Sequence, residues 1–386
     1  MKKTLIALAA LAAAGATLAQ SSVTIYGLMD LGMSQQETTT STTVRDQFSL
    51  AGAQDRWTGS RLGFRGTEDL GGGLRAGFVY EIGINADRDG RSGAGQTRLA
   101  NLSLSGGFGT VVVGTFLNSF DTVRAFIPGP GPGSGGIPGG RATEFEAGAV
   151  TERFDRRSQN AIAYVSPAFN GFTFSAGFVN NSDETRNLDG TPHTPAAPAT
   201  PTGFDYTGMI LGVAFTQGPL RAQFAYGNLD IGLHTGIRLA DGTIVGTPAS
   251  PVSTDVTNWA LGLSYNFGPA VVSFVYEDSS RDMVPTGLAG RTGIAGVDHN
   301  TWQIGASFPM GAFAPYVTFG GGERTGIAMD GVRTTDDINT WQIGTTYNLS
   351  ARTWVYAGIG EAQRETAAGL NVREETGYSI GLVHTF

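Results

Sequence analysis

The sequence predicts an all-β fold, a 16-stranded antiparallel transmembrane β-barrel with short periplasmic turns on one rim and long external loops on the other. Three observations carry that reading. Apolar residues alternate with small or polar ones along the whole chain, tight and long connections alternate strictly, and no apolar run after the leader reaches the ~18 residues a spanning helix needs. A soluble sandwich would bury its apolar face in a core and would have no reason to segregate loop lengths by side. In lipid a closed barrel is the other way to pair every backbone N–H and C=O.

Residues 1–19 come first: Lys2 and Lys3, an apolar run over 5–14, then Thr17-Leu18-Ala19 before Gln20. This is the pattern of a secretory signal, so the mature chain is read as 20–386. Strands follow. Leu220, Ala222, Phe224 and Tyr226 alternate with Arg221, Gln223, Ala225 and Gly227, and Trp302, Ile304, Ala306 and Phe308 alternate with Thr301, Gln303, Gly305 and Ser307. One face is apolar and the other polar or tiny, the signature of a two-sided strand. Seven tight connections (68–72, 105–109, 166–171, 217–219, 267–269, 309–311, 348–351) carry the Gly, Pro, Asn or Ser that turns need. Between them lie eight polar segments, near 35–56, 87–94, 119–156, 182–204, 231–254, 281–298, 324–337 and 364–374. Fifteen connections make sixteen strands. Thr301-Trp302-Gln303-Ile304-Gly305 returns as Thr340-Trp341-Gln342-Ile343-Gly344 two strands later, which predicts two similar strand environments. Phe172, Tyr265, Phe267, Phe308, Tyr347 and Phe386 fall near turn ends, where an aromatic girdle belongs.

Composition removes most chemistry. Glycine is 58 of 386 residues and charged residues only 15%, unlike a soluble enzyme's surface. The absence of cysteine excludes disulfides, thiolate metal sites and cysteine nucleophiles. Lys2 and Lys3 are the only lysines, so the mature chain keeps 23 of the 25 basic residues, all Arg, against 33 Asp and Glu, a formal charge of −10. Schiff-base and P-loop chemistry have no residue to use, and net acidity argues against nucleic acid as a partner. His193, His234, His299 and His384 show no metal spacing, and Asp87-Arg88-Asp89-Gly90 lacks the other ligands of a calcium loop. No cofactor and no catalytic group are predicted.

What remains is a field inside a pore. Arg61, Gly63 and Arg65 alternate with Leu62, Phe64 and Gly66, which aims both arginines at the lumen, since a charge on the lipid face costs about 2 to 4 kcal/mol at the midplane. Arg75 and Arg221 add positive lumen charge, Asp30 and Glu81 negative. Much other acid is assigned to loops (Asp183, Glu184, Asp189, Asp278, Asp282, Asp336, Asp337), so a modest anion preference is expected despite the net −10. Loop carboxylates that hold divalent cations together with lipopolysaccharide are a further expectation.

Specific runs then carry a resemblance. Ser21-Ser22-Val23-Thr24-Ile25-Tyr26-Gly27, Ser60-Arg61-Leu62-Gly63-Phe64-Arg65-Gly66-Thr67-Glu68-Asp69-Leu70-Gly71-Gly72-Gly73-Leu74, Tyr164-Val165-Ser166-Pro167-Ala168-Phe169-Asn170-Gly171-Phe172 and the end Gly381-Leu382-Val383-His384-Thr385-Phe386 resemble the trimeric general-diffusion porins of Gram-negative bacteria, nearest the β-proteobacterial type. The resemblance implies an outer-membrane homotrimer that passes ions and small hydrophilic solutes, with the third external loop, 119–156, folded into the lumen as a constriction. It carries the basic wall to Arg61, Arg98 and Arg157, and the acidic side to Glu144 and Glu146, with Asp121 weaker. Thr143-Glu144-Phe145 matches the family's loop only in part. On the last strand Tyr378, Ile380, Leu382, His384 and Phe386 share one face, and their pattern resembles the signal read by the outer-membrane assembly machinery. Arg98 poses a difficulty: if it points inward, alternation sends Leu102 and Leu104 inward too. Either a bulge intervenes or that strand faces a neighbouring subunit. A solute-selective channel, or an adhesin or receptor working through its long loops, remains the alternative reading.

Overall fold

The computed structural model describes residues 22–50, 58–84, 97–129, 157–181, 203–234, 237–238, 244–245, 252–283, 294–328 and 332–386. Residues 1–19, 87–90 and 183–189, and with them Glu144, Glu146 and His193, lie outside the described residues. The strands are β1 (Ser22–Thr40), β2 in two pieces (Val44–Leu50 and Arg61–Gly71), β3 (Leu74–Gly83), β4 (Thr97–Gly106), β5 (Gly109–Phe116), β6 (Ser158–Val165), β7 (Phe172–Asn181), β8 (Gly203–Gln217) and β9 (Leu220–His234). They continue with β10 (Val252–Asn266), β11 (Val271–Met283), β12 (Ile294–Ser307), β13 (Phe313–Ala328), β14 (Arg333–Asn348), β15 (Thr353–Thr366) and β16 (Asn371–Thr385). A short helix, α1 (Ser119–Arg124), follows β5.

Every strand pairs antiparallel with its neighbour, and β1 pairs with β16 from Leu28↔Thr385 to Thr40↔Arg373, which closes the sheet into a barrel. Both pieces of β2 pair with the same edge of β1, so the barrel has sixteen strands. Phe386 completes the seam, exchanging backbone hydrogen bonds of 3.1 Å with Gly27 in both directions. Six of the seven tight connections fall where the turn residues placed them; the first lies at 72–73 rather than 68–72, because Glu68 and Asp69 still pair with Ala76 and Arg75.

The strands run further than the apolar alternation. Residues 35–40 and 44–50, assigned to the first loop, form a ladder between β1 and β2. Asp278, Asp336 and Asp337, assigned to loops, lie on β11 and β14, and Asp282 lies on β11. The physical reason is that alternation records where one strand face meets lipid, whereas a ladder goes on pairing in water. About 9 to 11 tilted residues cross the hydrocarbon, and β8 to β16 have 13 to 16.

Side-chain exposure separates the faces. Leu220, Phe224 and Tyr226 on β9, Leu263 and Tyr265 on β10, and Tyr378, Ile380 and Leu382 on β16 are exposed outward, while Gln223, Ala225, Leu229, Asn258, Ala260, Ser379 and Val383, of opposite parity, are buried inside. All six predicted girdle aromatics are exposed, and Tyr265 packs on Phe267 at 4.6 Å between centroids. Towards the loop rim Trp259 packs on Tyr276 at 5.0 Å. The two copies of the Thr-Trp-Gln-Ile-Gly run match: both Trp and Ile face out, while Thr301, Gln303, Thr340 and Gln342 are buried on the lumen side.

A bulge in β4 decides the facing of Arg98. Glu81 pairs with Leu99 and Ile82 with Thr97, so Arg98 is the extra residue. One extra residue resets the alternation, which lets Arg98 reach the lumen while Leu102 and Leu104 remain exposed outside. Leu102→Arg is therefore expected to lose about 2–4 kcal/mol of stability, and Ser103→Arg to stay within about 0.5 kcal/mol. Urea unfolding of the two variants refolded into liposomes measures both.

Candidate functional site: the lumen wall and the inward segment

Glu81 organises one side of the lumen. It is 5% exposed and takes Arg98 Nε at 2.7 Å, Arg61 Nη1 at 3.8 Å and the Tyr26 hydroxyl at 3.1 Å. Arg61 also donates to the carbonyls of Gly59, at 3.1 Å, and Thr58. Two guanidinium groups on one carboxylate leave an excess of one positive charge. Arg65, on the same face of β2, adds another, its guanidinium 5.1 Å from the Tyr26 ring centre, a cation–π contact. Tyr26 lies over Gly63, where a Cβ would come within 2.3 Å of the ring; the glycine is what lets the phenol lie flat and reach Glu81.

Two further wall candidates are Arg157 and Arg75. Arg157 is half-buried immediately before β6, where the register shifts between Gly114 and Phe116. Arg75 pairs across from Asp69 at the turn end, about 20 Å along β3 from Glu81 at strand rise. Asp30, 3% exposed, accepts from the Tyr356 hydroxyl at 3.0 Å and the Thr58 amide at 2.8 Å, which pins the chain ahead of Arg61 to the wall.

Opposite this wall the chain turns inward after β5. Asn118 caps α1: its side chain accepts from the amides of Phe120, at 2.9 Å, and Asp121, at 3.3 Å, and the Asp121 carboxylate accepts from the Asn118 amide at 3.4 Å. This is a capping box, so the acid named as a candidate for the pore field takes part in holding the helix start. Phe120, Val123 and Ile127 pack on Ala161, Val179, Ile210, Ala225, Leu229, Val256, Ala260 and Val275, all of lumen parity. The segment then follows the wall as far as β14. A Cβ on Gly212 would lie 2.2 Å from Ser119 Oγ, one on Gly305 2.4 Å from Pro128 Cδ, and one on Gly129 2.7 Å from Gln342 Oε1. Bare backbone at Gly212 and Gly305 on the wall, and at Gly129 on the segment itself, lets the two approach closely.

Its strongest anchor was not among the sequence candidates. Arg124, 1% exposed, forms a two-pronged ion pair with Glu277, equally buried, with Nε to Oε2 at 3.0 Å, and Asn258 donates to Oε1 at 2.8 Å. Such forked geometry is among the strongest charge-assisted contacts. The inward parity of Glu277 on β11 was readable from its alternation with Tyr276 and Asp278; a partner 153 residues away was not.

Charge is also sorted by face near the loop rim. Alternation places Arg281, Arg324, Arg364 and Arg373 inside, and Asp230, Asp255, Asp278, Asp298, Glu323 and Asp337 outside. Asp336 and Glu375 face in, Asp336 3.4 Å from Arg364 and Glu375 accepting from Arg373 Nε at 3.0 Å. The lumen is therefore richer in arginine than the net charge implies. At the seam, Tyr378, Ile380, Leu382 and Phe386 are exposed outward, and His384 shares a 2.9 Å hydrogen bond with Thr353.

A closed sixteen-stranded barrel, apolar outside, charged within and narrowed by an inward segment, defines a membrane channel. A family model described as Gram-negative porin matches residues 4–367, and the chain belongs to that family of outer-membrane proteins. Porins are channels rather than enzymes. The chain is 38% identical to outer membrane porin protein 32 of Delftia acidovorans over 232 residues, 58% of each chain, so it spans less than two thirds of that relative. It is 28% identical to an outer membrane porin protein of Bordetella pertussis over the whole of both chains. Among solved structures it is similar to the anion-selective porin from Comamonas acidovorans, with a TM-score of 0.65 and 25% identity, covering 95% of this chain and 100% of that one.

Removing one partner of a buried ion pair costs about 3–5 kcal/mol, because the other charge is left uncompensated. Arg124→Leu is expected to give flickering single-channel currents, and Arg124→Leu combined with Glu277→Leu to restore steady levels. Planar-bilayer recording distinguishes the two.

Proposed function

We propose that the protein is an outer-membrane porin for passive diffusion of ions and small hydrophilic solutes, with a modest preference for anions. The observation that carries this is the wall on which Arg61 and Arg98 share Glu81 while Arg65 stands beside them. Charges of one sign along a narrow lumen with low-dielectric walls concentrate counter-ions, and arginine keeps its charge throughout the accessible pH range. The similar porin from Comamonas acidovorans is anion-selective, which supports the same sign here.

In this reading residues 1–19 are the export signal, 119–156 are the constriction loop with Glu144 and Glu146 facing the arginines, and three barrels associate. Arg157 extends the basic wall, and Arg75 adds charge at the turn-side mouth. The outward C-terminal face (Tyr378, Ile380, Leu382, His384, Phe386) is the assembly signal. Carboxylates facing out at the loop rim meet the headgroup layer, where divalent cations would bridge them to lipopolysaccharide. The chain carries out no bond chemistry and needs no cofactor.

The test is single-channel recording of the purified protein under a KCl gradient. Currents that close in thirds, with a chloride-leaning reversal potential, are expected of a trimeric anion-preferring porin. Arg61→Ala with Arg157→Ala should move the reversal potential towards potassium, and Glu81→Gln should move it further towards chloride. No conductance from a well-folded barrel would sink the channel reading.

A further inference from the structure

Between α1 and the β5–β9 wall lies a recess of about 300 Å³. Its floor is mostly apolar, with Val112, Ala163 and Ala214 of lumen parity beside Thr173 and Ser175, and its rim is polar but uncharged, with Ser119, Thr122 and Gln223. Among the described residues no ionised side chain lines it, which sets it apart from the arginine wall. The volume falls at the lower end of small-molecule sites, about 300–1,000 Å³, and suits one ring or short branched chain. Over the Val112, Ala163 and Ala214 part of the floor water finds few hydrogen-bond partners, so an apolar group that displaces it there gains free energy.

Just beyond the lining residues stands a cation. Arg221 shares the inner face of β9 with Gln223, two residues along, and so about 7 Å away. It is exposed, and its guanidinium lies 5.2 Å from the centre of the Phe126 ring. That contact aims the fork without covering its hydrogen-bonding edge, since a stacked guanidinium keeps its N–H donors in plane. Phe126 itself rests against Gly262, whose Cβ position is 3.1 Å from the ring.

We infer that this recess with Arg221 is a binding subsite for small organic monoanions that carry an apolar body, such as an aromatic or short branched carboxylate. The carboxylate meets Arg221 and the hydrocarbon enters the recess. The inference rests on the anion-preferring channel and adds a substrate class to it: inorganic anions would follow the arginine wall alone, while apolar carboxylates would dwell beneath the helix.

Chloride current through the full-length protein in planar bilayers, titrated with benzoate and separately with acetate, tests this. Acetate has the same charge and almost no apolar body. Benzoate should reduce chloride conductance saturably, at concentrations about tenfold lower than acetate does, a difference of about 1.4 kcal/mol. Ala214→Leu and Ala163→Leu, which fill the floor, should each remove the benzoate advantage, and Arg221→Gln should weaken both carboxylates. Chloride conductance of the same variants reports that they fold and open. Equal potency of benzoate and acetate, with a chloride-leaning reversal potential retained, overturns the subsite alone. So does undiminished benzoate block in both leucine variants. A potassium-leaning reversal potential overturns the anion channel and the subsite together.

Discussion

In hydrocarbon, a backbone N–H or C=O without a partner costs several kcal/mol, so a sheet in lipid must have no edge. The β1–β16 seam meets that requirement here, down to the paired backbone of Gly27 and Phe386. Closure determines what the side chains can be. One strand face must be apolar, and every charge within the bilayer must go to the other face, which closure has turned into a lumen. The function is thus a by-product of satisfying the backbone: a barrel that puts its charges inside has built a charged tube.

A tube of this circumference would be a wide hole, and the inward segment over 119–129 occupies part of it. Helix α1 is only six residues long, too short to hold itself together in water. Its stability comes from what it touches: a capping box at its start, apolar packing from Phe120 and Val123 on the lumen wall, and the Arg124–Glu277 pair at its end. Burying two ions is rarely a net gain over two well-packed apolar groups. Its value here is positional, because a forked ion pair fixes orientation as well as distance, and so fixes where the helix lies against the lumen wall.

The fold was legible to the extent that lipid writes itself into sequence. Lipid enforced the alternation that gave sixteen strands, and turns required the glycines and prolines that separated them. Strand ends were illegible because water enforces nothing: Asp278 and Asp337 read as loop residues although they sit on paired strands. The site was legible one residue at a time. Parity turned Arg61 and Arg65 inward, but for Arg98 the pattern left a bulge and a subunit-facing strand both open, and only the register decides for the bulge. Asp121 was named for the pore by resemblance, and the geometry of Asn118 gives its carboxylate a place in the helix cap that the sequence reading did not foresee. Arg124 and Glu277 are 153 positions apart on segments brought together by closure itself, so neither residue's neighbours could report the pairing.

Glu81 then shows how a strongly acidic chain can carry a basic lumen. Outward carboxylates at the loop rim lie in water or headgroups, where screening reduces their reach to about 8–10 Å. The arginines inside face a narrow, partly desolvated space, where the same charge acts more strongly. Arginines packed side by side nevertheless need local compensation. Glu81 supplies it to two at once, with the Tyr26 hydroxyl holding the carboxylate in place. One acid shared between two bases keeps the wall foldable and still leaves it net positive. The ratio of arginine to carboxylate along the inner face, rather than the sum over the chain, is what a permeating ion meets.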